Sequence, residues 1–232
     1  MKDLFGKAIL DFQTNNSPSA LITETNISEA DEMPVAYLFR SYDKMPKIEQ
    51  KALQLTKGKV LDIGCGSGSH SLYLQEKGFD ITSIDISVNA IKTCELRGLK
   101  KSCVQNVLDI ENEKFDTIIL LMNGTGIFET LAETPKYLQK LKSLLNPTGQ
   151  ILIDGSDIIY MFDQDDDGSF QVPADGYYGE LTFTISYKNE TEAPFPWLYL
   201  DYNTLQNTAI ANGLQCELII EGEHYDYLAK LF

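Results

Sequence analysis

Three glycines at alternate positions, Gly64, Gly66 and Gly68, preceded by Asp62 and followed by Ser69 and His70, are where residue type and spacing first point to chemistry. Glycines spaced in this way let the backbone turn sharply and bring a ligand against the main chain with no Cβ between them. Val60, Leu61 and Ile63 around Asp62 read as a buried strand entering the turn, and a helical pattern leaves it. The turn therefore ends on a helix N-terminus, with free N–H groups and a positive dipole end, and is built to hold something polar. Ser69 stands where a dinucleotide fingerprint needs glycine or alanine, and no lysine follows as a phosphate loop requires. The Asp62 carboxylate would repel a pyrophosphate but accept hydrogen bonds from an amine-bearing cationic ligand.

Companions follow in order. Asp85 closes the next β-branched run, Asp80 to Ile86, where a carboxylate can accept both hydroxyls of a ribose. A short strand around Cys103 to Gln105 leads to Leu108-Asp109-Ile110. A fourth run, Phe115 to Met122, is apolar enough for a central parallel strand and empties into Asn123-Gly124-Thr125-Gly126. Taken singly, Asp85 and Asp109 read equally well as strand-end or helix-cap acids, and Met122 as core. Their order behind one glycine loop is what points to a nucleotide-like ligand.

This D-x-G-x-G-x-G loop and its companions, from Val60 to Asn123, resemble the cofactor half of class I S-adenosylmethionine-dependent methyltransferases. The resemblance implies an α/β, Rossmann-like fold: a seven-stranded, mostly parallel sheet with an antiparallel last strand, an N-terminal helical cap, and a β-hairpin insertion before the last helix. It implies S-adenosyl-L-methionine as cofactor, with Gly64, Cys65, Gly66 and Gly68 under the methionine moiety and Asp62 near its amino group. By the same resemblance Asp85 takes the ribose, Asp109 meets the adenine amino group, Ile86 and Ile110 flank them, and the backbone of Met122 and Asn123 borders the cofactor. Helices ahead of the first strand cover the cofactor in related methyltransferases, which makes Arg40 a partner for the methionine carboxylate or for an acidic substrate. A surface salt bridge is the alternative for that arginine.

The elements that position these residues can be read along the chain. Residues 1–57 form an N-terminal arm or cap: a short helix, a loop at Asn15-Asn16-Ser17-Pro18, a second helix start at Ile27 to Glu32, an aromatic-rich piece from Val35 to Tyr42, and a helix with Pro46 in its first turn that ends at Gly58. Residues 58–232 form the methyltransferase domain, carrying an insertion over 155–202. Ser87 caps a helix over Val88 to Arg97, and Pro135 opens one whose leucines face the core. The turn Pro147-Thr148-Gly149 delivers a fifth strand, Gln150 to Asp154. Alternation from Glu180 to Tyr187 and from Phe195 to Leu200 reads as the inserted hairpin, followed by a last helix from Asn203 to Asn212 and a terminal strand pair.

Methyl transfer from a sulfonium demands no particular catalytic residue. If the acceptor must lose a proton, Asp154, Asp157, Tyr160 and His70 are the available bases. Phe39, Tyr42, Tyr177, Tyr178, Trp197 and Tyr199 would wall an apolar or aromatic substrate, or else pack the insertion onto the sheet or form a dimer surface. Families that methylate amides or exocyclic amines carry [DNS]-P-P-[YFW] after the fourth strand; Asn123 matches and both prolines are missing. A net charge of −15 further disfavours nucleic acid. A small-molecule acceptor leads. A protein or RNA methyltransferase, a non-catalytic cofactor binder and a nicotinamide-dependent dehydrogenase are the alternatives, the last opposed by Ser69 and Asp62.

The acid run from Asp163 to Gly168 misses calcium-loop spacing, and the four cysteines form no C-x-x-C pair, so no metal or disulfide framework is expected. No apolar run approaches a membrane span, which makes a cytoplasmic monomer or homodimer the simplest expectation.

Overall fold

The computed structural model describes residues 2–232. In chain order its elements are α1 (Leu4–Thr14), β1 (Leu21–Thr25), β2 (Ser28–Met33), α2 (Lys47–Leu55), β3 (Lys59–Ile63), α3 (Ser69–Glu76), β4 (Asp80–Asp85), α4 (Val88–Leu96), β5 (Ser102–Val104), β6 (Phe115–Leu120), α5 (Thr134–Ser143), β7 (Leu145–Ser156), β8 (Glu180–Tyr187), β9 (Glu190–Thr191), β10 (Phe195–Leu198), α6 (Tyr202–Ala211), β11 (Cys216–Glu221) and β12 (Asp226–Leu231).

Neighbouring residues on a strand point to opposite faces, and the apolar pairs of the central strands use both. Leu61, Ile118 and Ile151 pack beneath α5 and α6, while Val60, Ile119 and Leu152 pack beneath α2. A sheet buried on both faces needs such continuous apolar runs. The result is a seven-stranded sheet in the order β11-β12-β7-β6-β3-β4-β5. The pairs among β3 to β7 are parallel, and β12 runs antiparallel to both its neighbours. Ser87 caps α4 as its position requires, accepting from the Ala90 N–H at 2.9 Å. Among the described residues no helix is long and apolar enough to cross a membrane.

A second sheet, in the order β10-β8-β1-β2 with β9 beside β8, corrects the expected helical cap. Ser28–Met33 is strand β2 rather than a helix start, because Thr23, Ile22 and Leu21 pair it across a hairpin. β1 in turn pairs with β8 of the inserted segment, Leu21 opposite Tyr187 and Thr25 opposite Phe183. The N-terminal arm and the insertion thus complete one sheet. The Val35–Tyr42 piece forms single 3-10 turns, at Val35–Phe39 and Tyr42–Lys44. The expected Pro147-Thr148-Gly149 turn is instead the irregular start of β7, where its register with β6 shifts between Phe115 and Thr117.

Candidate active site

The glycine turn leaves β3 with Gly64, Gly66 and Gly68 at φ 71°, 53° and 81°. A side chain would strain all three, since this left-handed region is open chiefly to glycine. The Gly64 and Cys65 N–H groups donate to the Ile84 carbonyl at 2.9 and 3.1 Å, anchoring the turn to β4. A Cβ on Gly64 would meet nothing within 4 Å, so space lies above the loop. Gly68 differs, because a Cβ there would fall 2.9 Å from Cys94 Sγ.

Asp85 sits where β4 ends and holds the loop from the side. Its carboxylate accepts from the Gly66 N–H at 2.9 Å and the Ser87 N–H at 2.8 Å. Burial pushes its pKa up against those hydrogen bonds. Asp62 is buried at the end of β3, accepting from Ser71 Oγ at 2.5 Å, and burial raises its pKa as well. Ile86 stands 60 % exposed beside Asp85, free to lie against a flat ring. Asp109 is exposed on a single 3-10 turn after β5. Ile110 does not join the site: it is buried in the core, so only its main chain is near Asp109. The Cys65 side chain also turns inward, 3.8 Å from Cys94 Sγ, leaving its backbone to the loop.

Where β6 ends, Met122 and Asn123 both take left-handed backbone, with φ 70° and 58°. Such a turn costs energy and persists only where its surroundings hold it. Asp154, from the end of β7, supplies the hold by accepting from the Met122 N–H at 2.9 Å and the Gly124 N–H at 2.8 Å. Both carboxylate oxygens are therefore engaged, and Asp154 acts as a clasp rather than a free base. Asn123 Nδ2 and Thr125 Oγ1 donate to the Leu198 carbonyl, and Trp197 lies on Gly126, which ties this loop to β10.

Arg40 is buried. Its guanidinium pairs with Glu49, whose other oxygen meets His70 Nε2 at 2.7 Å. Burial pushes Glu49 up, but the His70 and Arg40 partners outweigh it and hold the carboxyl below its ordinary range. His70 is thus engaged as a hydrogen-bond partner of Glu49. Among the described residues Arg40 Nε is a buried donor with no acceptor. Phe39 packs on Phe12 at 4.6 Å and beneath the Arg97 guanidinium, which donates to the Ser67 carbonyl. Glu49 and Arg97 carry this part of the site without any sequence signal. Tyr160 stands half-exposed against Tyr225, while Tyr177 and Tyr178 donate to Asp201 and Asp157.

The glycine loop, the strand-end acids and this strand order define a class: an open-sheet α/β protein that binds a nucleoside-bearing ligand across the carboxyl ends of its strands. Residues 36–172 match the family described as "Methyltransferase domain". The solved structure of a SAM-dependent methyltransferase from Bacteroides fragilis in complex with S-adenosyl-L-homocysteine is 44% identical, with a TM-score of 0.92 over 100% of this chain and 94% of that one. The chain belongs to the S-adenosylmethionine-dependent methyltransferase family. A putative methyltransferase, YqeM, of Bacillus subtilis is 27% identical over 49% of this chain and 48% of its own length. A ubiquinone biosynthesis O-methyltransferase of Histophilus somni is 28% identical over 46% and 48%. The matched part spans about half the length of these curated relatives.

Proposed function

We propose that the protein transfers a methyl group from S-adenosyl-L-methionine to a small-molecule acceptor. The observation that carries the reading is the open cradle above Gly64, flanked by Asp85 and by the exposed Ile86. The residues present fit the cofactor. Gly64, Gly66 and Gly68 would pass beneath its methionine part, Asp62 would face the amino group, Asp85 would accept the ribose hydroxyls, and Asp109 the adenine amino group. The orphaned Nε donor of Arg40 suits the methionine carboxylate.

The bound cofactor supplies a sulfonium methyl with a good leaving group already in place. An acceptor lone pair would take that methyl carbon, the electron pair of the carbon–sulfur bond remaining on sulfur. The protein's task is to align the acceptor and exclude water. Asp154 fixes the Met122–Gly124 turn, which would border the reacting atoms, and Trp197 packs on Gly126 from β10 of the second sheet, the roof of this loop. Residues 58–232 are read as the catalytic unit, with residues 1–57 and 155–202 as its cover.

Isothermal titration tests the reading. S-adenosylmethionine and S-adenosylhomocysteine should bind at micromolar Kd, and Asp85→Ala should weaken both at least tenfold, a loss of roughly 1.4 kcal/mol. A folded sample that ignores both ligands and binds NAD would replace the methyltransferase by a dehydrogenase.

A further inference from the structure

Beneath the second sheet lies a cleft of about 230 Å³, separate from the cradle above Gly64. Ligand pockets usually measure about 300–1,000 Å³, so this one suits a small molecule and no folded partner. Its two walls differ in chemistry. Glu29 and Asp31 come from β2, the edge strand of the roof; Tyr160 and Met161 come from the turn after β7, with Phe183 of β8 and Tyr199 just beyond β10. The Phe183 and Tyr199 rings stack at 6.3 Å, and Tyr160 and Met161 are 50% and 40% exposed. No lysine, arginine or histidine lines the cleft. Among the described residues neither Glu29 nor Asp31 belongs to an ion pair.

Place in the fold connects the cleft to the chemistry. Tyr199 follows Leu198, whose carbonyl receives Asn123 and Thr125 of the turn after β6. Tyr160 follows the end of β7, where Asp154 clasps that same turn. The cleft is therefore lined by residues that lie next in the chain to the two segments, at Asp154 and Leu198, that hold the turn after β6.

Resting on the methyltransferase reading above, we propose that this cleft is the acceptor site and that it takes an amine-bearing small molecule, the ammonium drawn toward Glu29 and Asp31 and the apolar body against Phe183, Tyr199 and Tyr160, the nitrogen taking the methyl in its neutral form after the ammonium proton has left to solvent. Aromatic faces attract a cation, and free carboxylates with no competing base select positive charge and repel acids. The chain's net charge of −15 works in the same direction.

The test pairs two probes with the same phenylethyl body and opposite charge, 2-phenylethylamine and 3-phenylpropanoate, titrated by NMR into the full chain with and without S-adenosylhomocysteine. The amine should bind at least tenfold more tightly than the carboxylate. Glu29→Gln combined with Asp31→Asn should remove most of that preference, and Phe183→Ala should weaken the amine threefold or more. Equal affinity for the two probes, no binding of either, or a preference that survives the double variant would overturn the proposal. Failure of the cofactor reading shows separately, as a lack of S-adenosylhomocysteine binding in the same samples.

Discussion

Asp154 shows how one buried residue both holds and strains the site. Its two backbone donors favour the carboxylate, yet burial prevails and its pKa is pushed up to about 6. An aspartate in the unfolded chain titrates near 3.9, so between roughly pH 4 and 6 the native state binds more protons. This group's contribution is present below about pH 4 and is lost as the pH rises through about 6. Two units correspond to roughly 3 kcal/mol. Denaturant unfolding of wild type and Asp154→Asn should therefore give a stability difference that shifts by about 2–3 kcal/mol toward the variant between pH 4 and pH 7.5. A difference constant with pH would show that the residue ionises normally. The sequence places Asp154 at a strand end without revealing this role, because its partners, the Met122 and Gly124 amides, are main-chain groups on another strand's loop. Arg40 was legible as a residue of interest, but its counter-ion Glu49 was not. Glu49 pairs with groups nine and twenty-one positions away, a separation no local pattern encodes.

At the scale of elements, legibility follows burial. The strands of the large sheet stand out because both faces are covered, and Ser87 and Pro135 announce their helices by local chemistry alone. Strand β2 is the opposite case. Its sequence, SEADEM, alternates no apolar residues, and its strand form comes from pairing with β1, itself paired to β8 more than 150 residues away. Tertiary pairing overrides propensity here. Ile110 misled for a related reason: its neighbour Asp109 points outward from a tight turn, which sends the next side chain into the core. The contact between the roof and the donor loop is testable at Gly126. A Cβ there would lie 2.0 Å from the ring of Trp197, a half-buried residue of β10 opposite Leu181 of β8. Gly126→Ala should cost about 1–3 kcal/mol in denaturant unfolding, as overpacking does, and should slow methyl transfer by displacing the turn. An alanine variant as stable as wild type would mean that Trp197 has room to move.

For the whole molecule, α1 is fastened at both ends to different parts of the fold. At its start the Lys2, Asp3 and Leu4 N–H groups donate to the Glu192 carboxylate, an acid of the insertion placed where the helix dipole favours it. Farther along, Asp11 accepts from Tyr187 and Lys188 of the same segment. Its other face rests on α4: the Asp3 carboxylate accepts from Asn89, and Gly6 packs so closely on Ser87 that a Cβ would fall 2.0 Å from its hydroxyl oxygen. Ser87 also gives its N–H to Asp85, the acid assigned to the ribose. The helix, the second sheet and Asp85 are thus linked through one short stretch of chain. Filling the cradle should steady that stretch and, through it, α1 and the strands it is fastened to. Hydrogen exchange followed by mass spectrometry should show slower exchange across Leu4–Thr14 and β8, as well as in the glycine loop, when S-adenosylhomocysteine is added. Protection confined to the glycine loop would instead mean that the cover and the cradle open independently, and that α1 is a fixed wall rather than a part that responds to the ligand.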